Sequence, residues 1–208
     1  MLIRFVKRYI KRIFNAFRQS STNMVAGLLI YAAYKVAVTV GWKADFFKSV
    51  LYEHLTPRSL FLFLGVSLLL WTVWTLLAVR WEPRYESSRM FAAANWVGQY
   101  DQFVFSLYCT AVAVYAAAFL SSLAGALAGN GPRFRYAGAA AALLLLGLFL
   151  PTFWLRPEPE EMPSMFERRV KFDKAAALAK LALAILLLGS GMWLVGSVIL
   201  DPFQFVIE

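Results

Sequence analysis

The chain has 208 residues, 61% of them hydrophobic and only 16% charged, with a single cysteine and a formal net charge of +9. An ordinary soluble domain carries roughly 45–50% apolar and about 25% charged residues, so the apolar excess belongs in lipid. In a membrane protein the placement of cations matters more than their sum, and the basic balance therefore gives no case for a nucleic-acid partner.

The opening segment, MLIRFVKRYIKRIFNAFR, divides cleanly on a helical wheel. Leu2, Ile3, Phe5, Val6, Tyr9, Ile10, Ile13, Phe14 and Phe17 share one half, and Arg4, Lys7, Arg8, Lys11, Arg12, Asn15 and Arg18 share the other. Six cations and no acid on an amphipathic helix predict an interfacial element over residues 1–20. Its aromatic face would enter the acyl boundary, and these six basic residues would bind anionic lipid head groups. Two rival readings are a helix that packs on another protein chain and a mitochondrial import segment.

Apolar blocks follow at residues 24–42, 60–79, 103–128, 137–155 and 175–200, each close to the roughly 20 residues a helix needs to cross a bilayer. They are continuous and rich in Leu and Ala without alternating polarity, which excludes a β-barrel. The expected fold is all-α: a polytopic helical membrane protein with five transmembrane helices, the N-terminal interfacial helix, and residues 21–208 as one membrane bundle.

Within the first block stands Lys35, twelfth from Met24 and so about 16 Å into a hydrocarbon core roughly 30 Å thick. Such a lysine costs about 2.5–3.5 kcal/mol, and the Tyr31 ring one turn earlier can face its ammonium. Three readings compete: snorkelling outward past Thr39, pairing with an acid or carbonyls of a partner subunit, or lining an aqueous path. The next connection, KADFFKSVLYEHLTPR, predicts a short surface helix ended by Pro57, and its lone His54 lacks the convergent donors a metal needs. RWEPRYESSRMFAAANWVGQYDQ then leads into the third block. There Asn95, Gln99, Tyr100, Asp101 and Gln102 form a polar cluster at the membrane edge. Asp101 is expected to stay hydrated there, to pair with Arg84 or Arg89, or to line an entry path.

The third block repeats small residues every fourth position, at Ala113, Ala117, Ser121, Gly125 and Gly129. That spacing predicts a helix–helix interface within or between chains, because small residues let backbones approach where lipid offers no hydrophobic drive. Cys109 in the same block excludes an intramolecular disulfide. Pro151 places a kink near the end of the fourth block. The loop 156–174 passes from Pro- and Glu-rich to basic, which makes it a docking candidate for a soluble cytoplasmic partner. Lys180, just inside the last block, can snorkel.

Cations distribute unevenly across the spans. Arg4, Lys7, Arg8, Lys11, Arg12, Arg18, Arg80, Arg84, Arg89, Arg156, Arg168, Arg169, Lys171 and Lys174 lie on one side, and Lys43, Lys48, Arg58, Arg133 and Arg135 on the other. Fourteen against five puts the N-terminus in the cytoplasm and the C-terminus outside. This fits a bacterial inner membrane, with the mitochondrial inner membrane as the alternative.

No constellation for catalysis or cofactor binding is complete. Gly189–Ser190–Gly191 lacks the spacing of a nucleophile elbow, no histidine lies in any span, and neither a phosphate loop nor paired intramembrane carboxylates occur. The sequence therefore reads as a non-catalytic structural or scaffold subunit of a larger membrane assembly of secretion, export or respiratory type. Its partners would be other membrane subunits and anionic lipid. The alternative is a small oligomeric transporter or channel with Lys35 and Asp101 along its path, although no inverted repeat supports it.

Overall fold

The computed structural model describes residues 2–41, 57–80, 87–126, 134–155 and 174–200. Among these every regular element is a helix: α1 (Leu2–Val40), α2 (Pro57–Arg80), α3 (Ser87–Ala126), α4 (Phe134–Leu148), the single turn α5 (Thr152–Leu155) and α6 (Lys174–Leu200). Five stretches are long and apolar enough to cross a membrane: Val6–Val40, Ser59–Leu77, Ala92–Ala124, Phe134–Leu155 and Leu178–Ile199. The described residues are thus all-helical, and the length and composition of these helices fit a multi-pass membrane protein. The segments 43–56, 127–133 and 156–173, with the expected surface helix at His54, Gly129 of the small-residue repeat and the docking loop, lie outside the described residues.

The N-terminal segment differs from expectation. Residues 2–18 do not form an element of their own but are the first half of α1, a helix of 39 residues. No proline or glycine interrupts the chain before Gly27, and the polar run from Arg18 to Asn23 finds its bonds without breaking the helix. The Ser21 hydroxyl donates to its own helix at Arg18 O (2.8 Å). The helix ends at Gly41, whose φ of 72° is the left-handed conformation that closes helices without a Cβ penalty. At 1.5 Å per residue α1 is about 58 Å long, nearly twice a hydrocarbon core of roughly 30 Å.

The helices pack as two compact units, Met1–Leu60 with Gln102–Phe149, and Phe61–Asp101 with Leu150–Glu208. In the first, α1 runs parallel to the C-terminal part of α3 along a polar seam. Gln102 Nε2 donates to Gln19 Oε1, the Ser20 and Ser106 hydroxyls share a bond of 3.1 Å, and Thr110 Oγ1 donates to Asn23 O at 3.2 Å. One turn on, a Cβ on Gly27 would stand 2.6 Å from Thr110 O and 3.1 Å from the Ala113 Cβ, so the two backbones are in direct contact. α4 runs antiparallel to α3, with Phe134 against Phe119 at one end and Gly147 over Phe105 and Tyr108 at the other.

In the second unit α2 and α6 cross antiparallel at a pair of glycines. A Cβ on Gly65 would meet Gly191 O at 3.2 Å, and one on Gly191 would meet Gly65 O at 3.1 Å. Trp71, Val97 and Leu187 form the core beside this crossing, with Trp74, Trp154 and Leu183 packed on it. Gly191, noted in the sequence for a nucleophile motif it does not complete, is thus a packing residue. Gly189, two residues earlier, has nothing within 4 Å of its Cβ position. Gly191→Ala should therefore cost about 1–3 kcal/mol through overpacking. Gly189→Ala should be neutral or stabilising by up to about 1 kcal/mol from helix propensity. Thermal unfolding of the two variants in the same detergent checks the contrast, and equal midpoints would contradict the crossing.

Candidate functional site

The second unit contains a buried carboxylate. α3 begins at Ser87, well before the block read from the sequence, so Asp101 lies inside an apolar stretch and not at its mouth. It is 0% exposed, which corrects the expectation of a hydrated interfacial acid. Its surroundings follow from two features of the sequence. Ser67 and Trp71 sit one turn apart on α2 and so present their donors on one face. Pro151, which has no N–H and clashes with the preceding turn, separates α4 from α5. The i−4 ladder resumes only at Leu155, whose N–H reaches Pro151 O at 2.7 Å, and this leaves the Thr152 N–H to find a partner elsewhere.

All three donors converge on Asp101. The Ser67 hydroxyl donates to Oδ1, the Trp71 indole N–H to Oδ2 at 2.7 Å, and the Thr152 backbone N–H to the same Oδ2 at 3.0 Å. Trp71 is itself held edge-on against Trp74, with ring centroids 5.2 Å apart. The carboxylate thus ties α2 and α5 to α3 through neutral donors. Among the described side chains it is the only carboxylate, and no cation is bonded to it. Arg84 and Arg89, its expected salt-bridge partners, have no described side chains.

No known protein family, curated protein or solved structure matches this chain.

The remainder of the polar cluster is dispersed. Tyr100 donates to Phe63 O at 3.3 Å, Gln99 is exposed, and Asn95 is half-buried. The other expected charge, Lys35, belongs to the first unit. It is exposed on α1 with its Nζ 5.8 Å from the centre of the Tyr31 ring, five residues before the helix ends. Of the basic N-terminal residues, Lys7, Lys11 and Arg18 are exposed and Arg8 and Arg12 half-buried, while Arg4 has no described side chain. In the small-residue repeat Ala113 is buried against Gly27, whereas Ala117 and Ser121 are half-buried and the Gly125 surroundings are not described. Lys180 is exposed on α6, and Cys109 is buried with a free thiol.

Sequence reasoning missed Ser67, Trp71 and Thr152. A serine and a tryptophan at i and i+4 inside a strongly apolar stretch were the available signal, since each needs a partner where neighbours are mostly apolar. The same holds for the N–H released behind a mid-helix proline.

Proposed function

We propose that this chain is a non-catalytic subunit of a larger multi-protein assembly in a bacterial inner membrane, with the N-terminus cytoplasmic. The observation that carries this reading is the opposite treatment of its two charges. Asp101 is buried, and its three donors make it an internal brace. Lys35 is exposed among apolar neighbours, with Leu28 48% and Val36 63% exposed, on a helix that contains no acid. An outward cation costs about 2.5–3.5 kcal/mol in lipid, and this cost is offset by a partner's carboxylate or by reaching the interface. The exposed apolar faces of α1 and α6 offer the contact area that neighbouring subunits would use.

Purification from native membranes in mild detergent, followed by native mass spectrometry, tests the reading. Co-isolation with a constant set of different membrane proteins is expected, with that set weakened by Lys35→Leu. A lone chain or a pure homo-oligomer counts against it. The uneven cation distribution supports the orientation. A reporter fused after Glu208 that is active only in the cytoplasm would refute it.

The second reading, a small oligomeric transporter, draws on Asp101 lying beside the break at Pro151, since transport sites use interrupted helices and membrane-embedded acids. It predicts solute or proton flux in proteoliposomes that Asp101→Asn and Lys35→Leu each abolish. Equal flux with and without the protein excludes it.

A further inference from the structure

We propose that the outward face of α1 between Lys7 and Arg18 docks an acidic helix of another protein chain. This rests on the subunit reading above and names the chemistry of one partner.

The basic half of α1 shares its packing seam with the apolar half. Tyr9 donates to Leu148 O at 2.8 Å, Ala16 is buried, Phe17 stands edge-on to Phe105 with centroids 5.1 Å apart, Ser20 meets Ser106, and Gly27 touches Thr110. Positions 9, 16, 20 and 27 fall on one stripe of a 3.6-residue helix. The segment is therefore bound into the same packed unit as the apolar half, unlike a separate amphipathic helix free to lie flat on lipid.

The opposite stripe is open. Lys7, Lys11, Phe14 and Arg18 follow one another at steps of four, three and four, and all are exposed, Phe14 at 69%, so Phe14 stands among the cations and not on the apolar face expected from the helical wheel; Ile10 beside them is 59% exposed. The three cations are spread over about 16 Å along the axis. An unbroken helix without proline curves only gently, so this axis continues the direction of the apolar half. A sheet of anionic head groups would then reach only the cations nearest the apolar half, because screening acts over about 8 Å at physiological salt. A helix laid alongside, with carboxylates at the same three- and four-residue steps, meets all three cations while its apolar residues cover Ile10 and Phe14. α1 carries seven cations and no acid, so the charge that complements this stripe comes from outside the helix.

The experiment places a photo-reactive residue at position 14 of the full-length chain in native membranes, with Ile185 on α6, also exposed, as the control position. The expected result is a single protein adduct at position 14, attached through a helical peptide bearing Asp or Glu at three- and four-residue steps. Its yield should fall about ten-fold in Lys7→Glu/Lys11→Glu/Arg18→Glu and fall again at high salt, with adducts at 185 unchanged. Lipid adducts alone, an adduct to the chain's own residues 158–161, or a yield indifferent to charge reversal would each overturn the proposal. Native mass spectrometry of the same samples separates the two levels. An intact assembly without the adduct removes only this docking face, and a solitary chain removes the subunit reading with it.

Discussion

Replacing Asp101 with alanine is expected to destabilise the protein by about 2–5 kcal/mol, the largest effect of any single polar substitution in the described bundle. Three hydrogen bonds, at the mean of about 0.6 kcal/mol each typical between apolar helices in membranes, set the lower bound. The upper bound follows from bonds to a charged acceptor, at about 1.5–3 kcal/mol each, reduced by the desolvation cost that disappears with the carboxylate. The donors left behind decide where within this range the loss falls. Ser67 can turn its hydroxyl to a carbonyl of its own helix, as Thr72 and Thr75 do on the same helix toward Leu68 O and Trp71 O. The Trp71 indole N–H is fixed by its packing on Trp74, and the Thr152 N–H is fixed by the break at Pro151, so neither can turn away. Asp101→Asn keeps one oxygen as acceptor and should lose only about half as much. Ser67→Ala should cost no more than about 1 kcal/mol. Thermal unfolding followed by tryptophan fluorescence ranks the three. An alanine variant as stable as the parent would show that the carboxylate does not brace these helices.

The second large effect is expected at Gly27. A methyl group there would stand 2.6 Å from a backbone carbonyl oxygen, and a carbonyl cannot rotate aside as the end of a side chain can. Gly27→Ala must therefore push α1 away from α3, weakening the Gln19–Gln102, Ser20–Ser106 and Asn23–Thr110 contacts together. The expected loss is about 1–3 kcal/mol for alanine and more for valine or leucine, since overpacking costs rise with the added volume. Gly65→Ala should be milder, because its shortest clash, at 2.8 Å, is with the end of the Val195 side chain. A cysteine pair at positions 20 and 106 offers an independent readout. Cross-linking should be efficient in the parent and reduced by Gly27→Val. Undiminished cross-linking would mean that the helices tolerate the bulk.

Much of the fold was legible from hydropathy alone. Continuous apolar blocks of the right length announced five helices long and apolar enough to cross a membrane, and the residues spanning 60–79 and 175–200 recur in α2 and α6 with small shifts at the ends. The errors fell where a local rule met a tertiary contact. The polar run from Arg18 to Asn23 reads as a boundary, because exposed polar residues in lipid are costly. The structure carries helix straight through it, since α3 supplies Gln102, Ser106 and Thr110 on the matching side. The small residues from Ala113 onward promised an interface by their spacing. Among the described residues, close approaches with backbone contact occur at Gly27, opposite Ala113 of that repeat, and at the Gly65–Gly191 pair, because closeness depends on what the opposite helix presents.

The sequence by itself determined the all-helical class of the described residues and the number and approximate extent of the helices long and apolar enough to cross a membrane. These follow from composition and transfer energies summed along the chain, which need no neighbour. Only the tertiary structure decided what its charges do. Asp101 becomes a buried brace because Ser67, Trp71 and Thr152, distant in sequence, arrive together with donors for its two oxygens. Lys7, Lys11, Arg18 and Lys35 of α1 stay outward because its small and aromatic residues take the seam. Hydrogen-bond partners across helices depend on register and crossing, and no single segment encodes these.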